Sequence, residues 1–151
     1  MGPPEYRRDV RQPISFMTRT VRQLQLSVLQ ERLAVSRLAP DEPVPLWATQ
    51  GVFFSVTRTS EELSIVTQES LTPAGVQSQP GWRALKLHGP FAFSEIGVVS
   101  ALAVPLAEVK IGIFIVSTFD TDYLLVASAD LEAAILALQD AGHSIHRSNS
   151  E

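Results

Sequence analysis

FIVSTFDTDYLLV, Phe114 to Val126, sets two apolar runs rich in β-branched and aromatic residues around a short polar centre. Such arms favour strands, and Asp and Thr favour the turn between them, so the stretch reads as a β-hairpin with DTD at or beside its tip. Working outward, WRALKL before it is a further strand, ended by HGP. Between the two, from Ser94 as N-cap, Ile96, Val99, Leu102, Ala103 and Leu106 recur at helical spacing. After the hairpin, Leu131, Ala134, Ile135 and Leu138 form a second helical stripe, started by Ser128 or Asp130 and stopped by Gly142. HSIH then supplies a final edge strand.

The order strand, helix, strand, strand, helix, strand is the split βαβ arrangement of ferredoxin-like type, an α+β fold whose two helices cover one face of an antiparallel sheet. The amino-terminal half is less regular. Leu24, Leu26 and Val28 alternate with polar residues as a half-buried strand does, and QE reads as a turn into a second strand, RLAVSRL. Pro40, Pro43 and Pro45 mark a loop, LWATQ a short helical turn, and FFSVTRTSEELSIVT a hairpin with arms Phe53 to Thr57 and Leu63 to Thr67. Pro73, Gly75, Pro80 and Gly81 make residues 70–81 a connector. One constant offset lays the first hairpin on the second, with Phe54 on Phe114, Val56 on Val116, Glu62 on Asp122 and Val66 on Val126. The same offset sets PLWATQ on PLAEVK, which points to an internal duplication whose first copy is shortened. The expected organisation is therefore a polar, disordered extension over 1–22, a first module over 23–75 and a second over 76–151. Met17 is an alternative start to Met1.

The chain of 151 residues is long enough for a buried core, and with 45% hydrophobic residues it is expected to fold. A net charge of −4 with dispersed Lys and Arg offers no basic field for nucleic acid. The absence of cysteine excludes disulfides, thiolate metal sites and a cysteine nucleophile. No apolar run reaches the about 18 residues that a bilayer span needs, and the N-terminal arginines precede no apolar segment of a signal peptide. A cytoplasmic protein without membrane attachment is the expectation.

Candidate chemistry is sparse. An Asp-x-Asp motif holds metal or accepts phosphate when it follows a parallel strand and has distant acidic partners, but here it lies inside a hairpin. His143 and His146 are spaced for two ligands, yet no third is near in sequence, and a helix C-terminus suits a solvated histidine. His88 ends a strand. No nucleophile, phosphate-loop or zinc-protease motif is present, so no enzymatic activity, metal or cofactor is expected. Glu95 at the start of the first full helix, with Thr118 and Asp122 in the hairpin, can converge on one polar patch. Helix N–H groups there hold an α-carboxylate, and the two acids an ammonium or guanidinium. The plainer reading, that Glu95 complements the helix dipole and Asp122 sits in a turn, carries equal weight on these residues alone.

FFSVTRTSEELSIV, the segment GWRALKLHGPFAFSEIGVVSALAVPLAEVKIGIFIVSTFDTDYLLV and LEAAILALQDAGH resemble the paired ACT-like domains of the CASTOR-type arginine sensors and their small bacterial relatives. The resemblance runs from about Leu24 to His146. It implies two side-by-side ACT modules that bind small molecules, usually amino acids, and perform no chemistry. Carried over residue by residue, it implies a ligand site at Ala92, Glu95, Thr118, Phe119, Thr121 and Asp122. Ala92 stands where the ligand-binding module of the sensors has glycine, and Thr121 where it has a bulky aromatic, which weakens the case for arginine itself. The sensors form their pocket between modules of a four-module chain, so the resemblance implies a homodimer here, and a regulated protein partner as the output. The alternative is an interaction module that pairs through its sheet edge and binds no small ligand.

Overall fold

The computed structural model describes residues 22–148; the expected N-terminal extension lies almost wholly outside the described residues. Seven strands form a single sheet, β1 (Gln25–Leu38), β2 (Ser55–Arg58), β3 (Leu63–Gln68), β4 (Ser78–Leu87), β5 (Ile113–Ser117), β6 (Asp122–Ala127) and β7 (Ser144–His146). Its order is β2-β3-β1-β4-β6-β5, and β7 pairs in parallel with the first residues of β1. Two α-helices, α1 (Val98–Glu108) and α2 (Leu131–Asp140), pack on one face. The α+β class and the βαββαβ order of β4, α1, β5, β6, α2 and β7 follow the expectation from the hydrophobic periodicities.

Four local readings are corrected. QE at Gln30–Glu31 is not a chain reversal, and β1 runs unbroken through it. The pairing of β1 with β4 slips between Val28 and Arg32, so the residues that read as a turn are absorbed as a bulge. The connector is shorter than 70–81, because β4 already begins at Ser78 and carries Pro80 and Gly81 where its register with β1 slips again. Helix α1 starts at Val98 rather than after Ser94, since Gly97 takes a left-handed conformation (φ 86°) that no helix interior admits. That phase buries Val98, Ala101, Leu102 and Leu106, while Ile96 stays 74% exposed. The helix is apolar almost all round, so its periodicity alone could not select the buried side. Finally, His143 is not solvated. It is 4% exposed, accepts the Leu24 N–H at Nδ1 (3.0 Å) and donates from Nε2 to the Ala101 carbonyl (2.9 Å). By contrast, the stripe read for α2, Leu131, Ala134, Ile135 and Leu138, is the buried one.

The main core joins Leu24, just before β1, and Leu26 and Val28 of β1 to Leu85, Leu87, Leu124 and Val126 under the two helices. The opposite face carries Leu33, Val66, Ala84 and Leu125, flanked by half-buried Phe53, Trp82, Phe114 and Tyr123. A third cluster packs Leu63 and Ile65 beneath the single 3-10 turn Leu46–Thr49, which stands where a full helix would cover the sheet. Leu102→Ala is expected to cost about 2–5 kcal/mol in chemical denaturation, whereas Val104→Ala on the exposed side of the same helix should stay within about 0.5 kcal/mol.

Candidate functional site

Two turns build the site. The first, Phe91–Gly97, links β4 to α1. Within it the Glu95 N–H donates to the Ala92 carbonyl (3.0 Å), and the Glu95 carboxylate accepts the Ala92 N–H in return (3.1 Å). The second turn, Thr118–Thr121, closes the β5–β6 hairpin through Thr118 N–H to the Thr121 carbonyl (2.8 Å), reinforced by the Thr118 hydroxyl. Asp120 is exposed at its tip and Asp122 opens β6, so DTD runs from the end of the turn into the strand, as its position between two arms implied.

The turns are fastened to each other. Phe91 N–H donates to the Asp120 carbonyl (2.8 Å), and the buried Thr121 hydroxyl donates to the Leu87 carbonyl at the end of β4 (2.8 Å). Gly89 allows this approach, because a Cβ there would stand 2.9 Å from the Asp120 carbonyl oxygen.

Between the turns and the start of α1 lies a recess of about 420 Å3. All six residues singled out from the sequence, Ala92, Glu95, Thr118, Phe119, Thr121 and Asp122, border it. Their roles differ. Thr121 is spent on Leu87, and the Asp122 carboxylate accepts the Ser117 hydroxyl across the hairpin. Glu95 also takes the Arg22 guanidinium, which lies 5.4 Å from the centre of the Phe91 ring. Gly97, Val98, Val99 and Ser100 line the recess too, and no side chain caps this first turn of α1. Free amides at a helix start favour an anion, so one wall attracts negative charge and the other positive.

The rim is apolar. Phe93 and Phe119, each 79% exposed, meet edge to face with ring centres 5.2 Å apart. Arg22, Phe91, Phe93 and Ser117 were not singled out from the sequence, where no periodicity or motif marks them. A second recess, about 590 Å3, opens on the other side of the Thr118–Thr121 turn, lined by Lys86, His88, Asp120 and Tyr123 among others. Among the described residues no group of three His, Asp or Glu side chains is placed to hold a metal, and no helix is long and apolar enough to cross a membrane.

The Ala92 N–H and the Arg22 guanidinium hold the Glu95 carboxyl below the usual carboxylate range. A carboxylate depressed in the folded state contributes stability above its unfolded pKa, and that contribution is lost as pH falls through the folded value. Glu95→Gln is therefore expected to lower stability by a small constant amount at neutral pH and to converge with the wild type below about pH 4, flattening the acid limb of a stability-versus-pH curve.

Comparison with known proteins was made against this geometry. A family model described as ACT domain matches residues 77–140, and a second, described as an N-terminal domain, matches residues 31–74. The human putative protein CASTOR3P is 31% identical over 118 residues, covering 64% of this chain and 70% of the relative. The mouse cytosolic arginine sensor for mTORC1 subunit 1 is 39% identical over 59 residues, which is 38% of this chain and only 18% of that relative's length. A crystal structure of an Agobacterium tumefaciens protein superposes with a TM-score of 0.81 at 44% identity, covering 86% of this chain and 97% of that one. The ligand-free regulatory subunit of aspartate kinase from Thermus thermophilus shares the fold, with a TM-score of 0.56 at 14% identity over 78% of this chain and 97% of that one.

Proposed function

The chain belongs to the ACT-domain family, and from that membership we propose that it is a non-catalytic regulatory protein that binds an amino acid in the recess between the Phe91–Gly97 turn and the Thr118–Thr121 turn. The carrying observation is the pairing of opposite polarities on that recess. The uncapped amides at the start of α1 suit an α-carboxylate, while Glu95 and Asp122 suit an ammonium or guanidinium. The two family-model matches support an organisation in two modules, 23–75 and 76–151. The name of the mouse relative supports a cytosolic setting.

A homodimer completes the site in this reading. Phe93 and Phe119 stand exposed along one rim of the recess, and exposed apolar groups around a polar centre are what a second surface covers. An isologous contact through this rim would close both recesses at once. Signalling to a regulated protein partner then follows from the ligand's differential affinity for two arrangements of subunits. The same rim favours the second reading, an interaction module that holds a partner protein and no small ligand.

A thermal-shift screen against the twenty amino acids decides between them. One or a few should raise the melting temperature by several degrees in a saturable way, since a ligand at about a hundredfold excess over Kd stabilises by about 2.7 kcal/mol. Glu95→Ala and Asp122→Ala should each abolish that rise; a response that survives both variants places the ligand elsewhere. Replacing Phe93 and Phe119 together by Ser should convert the dimer to monomer in light scattering, and a wild-type protein that is already monomeric at micromolar concentration defeats the dimer.

A further inference from the structure

We propose that Arg22 is a tethered competitor for the cation position of the recess, so that a ligand's ammonium or guanidinium reaches Glu95 only by displacing the chain's own arginine. The inference rests on the reading of the recess as an amino-acid site.

The contact has the form of a bound ligand head group. The Arg22 Nη2 donates to one Glu95 carboxylate oxygen, and the other oxygen already accepts the Ala92 N–H. The flat guanidinium lies against the Phe91 ring at 5.4 Å, the approach that aromatic rings offer cations. A charge-assisted hydrogen bond plus a cation–π contact is how a site recognises a guanidinium, and here both partners come from the recess or its edge. Phe91 and Glu95 line the recess, whereas Arg22 comes from outside the two turns, just before β1.

The tether is short. Two residues further on, the Leu24 N–H is fixed to His143 and the Leu24 carbonyl to the Ser144 N–H (2.9 Å). A group held so near its target competes at an effective concentration in the millimolar range or above. It is also loosely held. The Arg22 and Glu95 side chains are 43% and 29% exposed, and an exposed ion pair is weak enough to be exchanged. Here β1 and the Phe91 turn are already tied through the sheet and through His88 N–H to the Gln25 carbonyl (2.8 Å).

Arg22 thereby sets the threshold of the site. It keeps Glu95 partnered when no ligand is present, and it lowers the apparent affinity for any cationic head group by one plus the equilibrium constant of its own docking.

The test is isothermal titration of the full chain and of Arg22→Ala and Arg22→Lys with L-arginine and L-lysine as probes. Arg22→Ala is expected to bind a probe about three- to tenfold more tightly than wild type. Arg22→Lys should fall between them, keeping the charge but losing the fixed fork of guanidinium donors. In the wild type, the Arg22 side-chain NMR signal should move on saturation to its position in Glu95→Gln, where the pair is broken. Equal affinity in wild type and Arg22→Ala overturns the competitor alone and leaves the site standing. Weaker binding by Arg22→Ala does so too, since it makes Arg22 part of the pocket. Binding of neither probe by any of the three chains removes the cation site, and the competitor falls with it.

Discussion

A strand of 14 residues, β1, is shared by every part of this molecule. It lies between β4 and β7 at its start and between β4 and β3 over its last residues, so both of its ends are internal to the sheet. An internal strand must satisfy hydrogen bonds on both edges and bury side chains on both faces. β1 does so with Leu26 and Val28 under the helices and Leu33 and Val35 on the opposite face, and its register against β4 slips twice, between Val28 and Arg32 and between Leu33 and Val35. In the simple split βαβ sheet the last strand would flank its own first strand. Here β7 flanks β1 instead, and the two halves of the chain share a sheet rather than merely touching.

The position of the recess follows from that sheet. β4 and β6 pair side by side, so the turn that leaves β4 and the turn that enters β6 emerge at the same end. They are then fastened by Phe91 to Asp120 and by Thr121 to Leu87, with Gly89 at the close approach. Such bonds fix the walls before any ligand arrives, which lowers the ordering cost of binding. The acids are held rather than free: Asp122 by Ser117, and Glu95 by Ala92 and Arg22. Because β1 also carries Arg22 at its approach, the strand that unites the sheet delivers a cation to the site.

Periodicity served best where one face of an element was apolar and the other polar. The α2 stripe of Leu131, Ala134, Ile135 and Leu138 is an example. It served poorly where apolar residues surround the element, as in α1, whose start depended on the left-handed Gly97 rather than on Ser94. It also failed at Gln30–Glu31, where a bulge and a turn are alike in local composition.

What the amino-acid order determined by itself is the local alternation of apolar and polar residues, and with it most of the elements, their sequence and the α+β class. These depend on interactions between near neighbours in the chain. Only the tertiary structure decided that β1 passes through both halves, that His143 is a buried link between Leu24 and Ala101, and that Arg22 meets Glu95. Each of those pairs residues far apart in sequence, and no periodicity records which distant partner a side chain will find once the sheet has curled and the helices have settled on it.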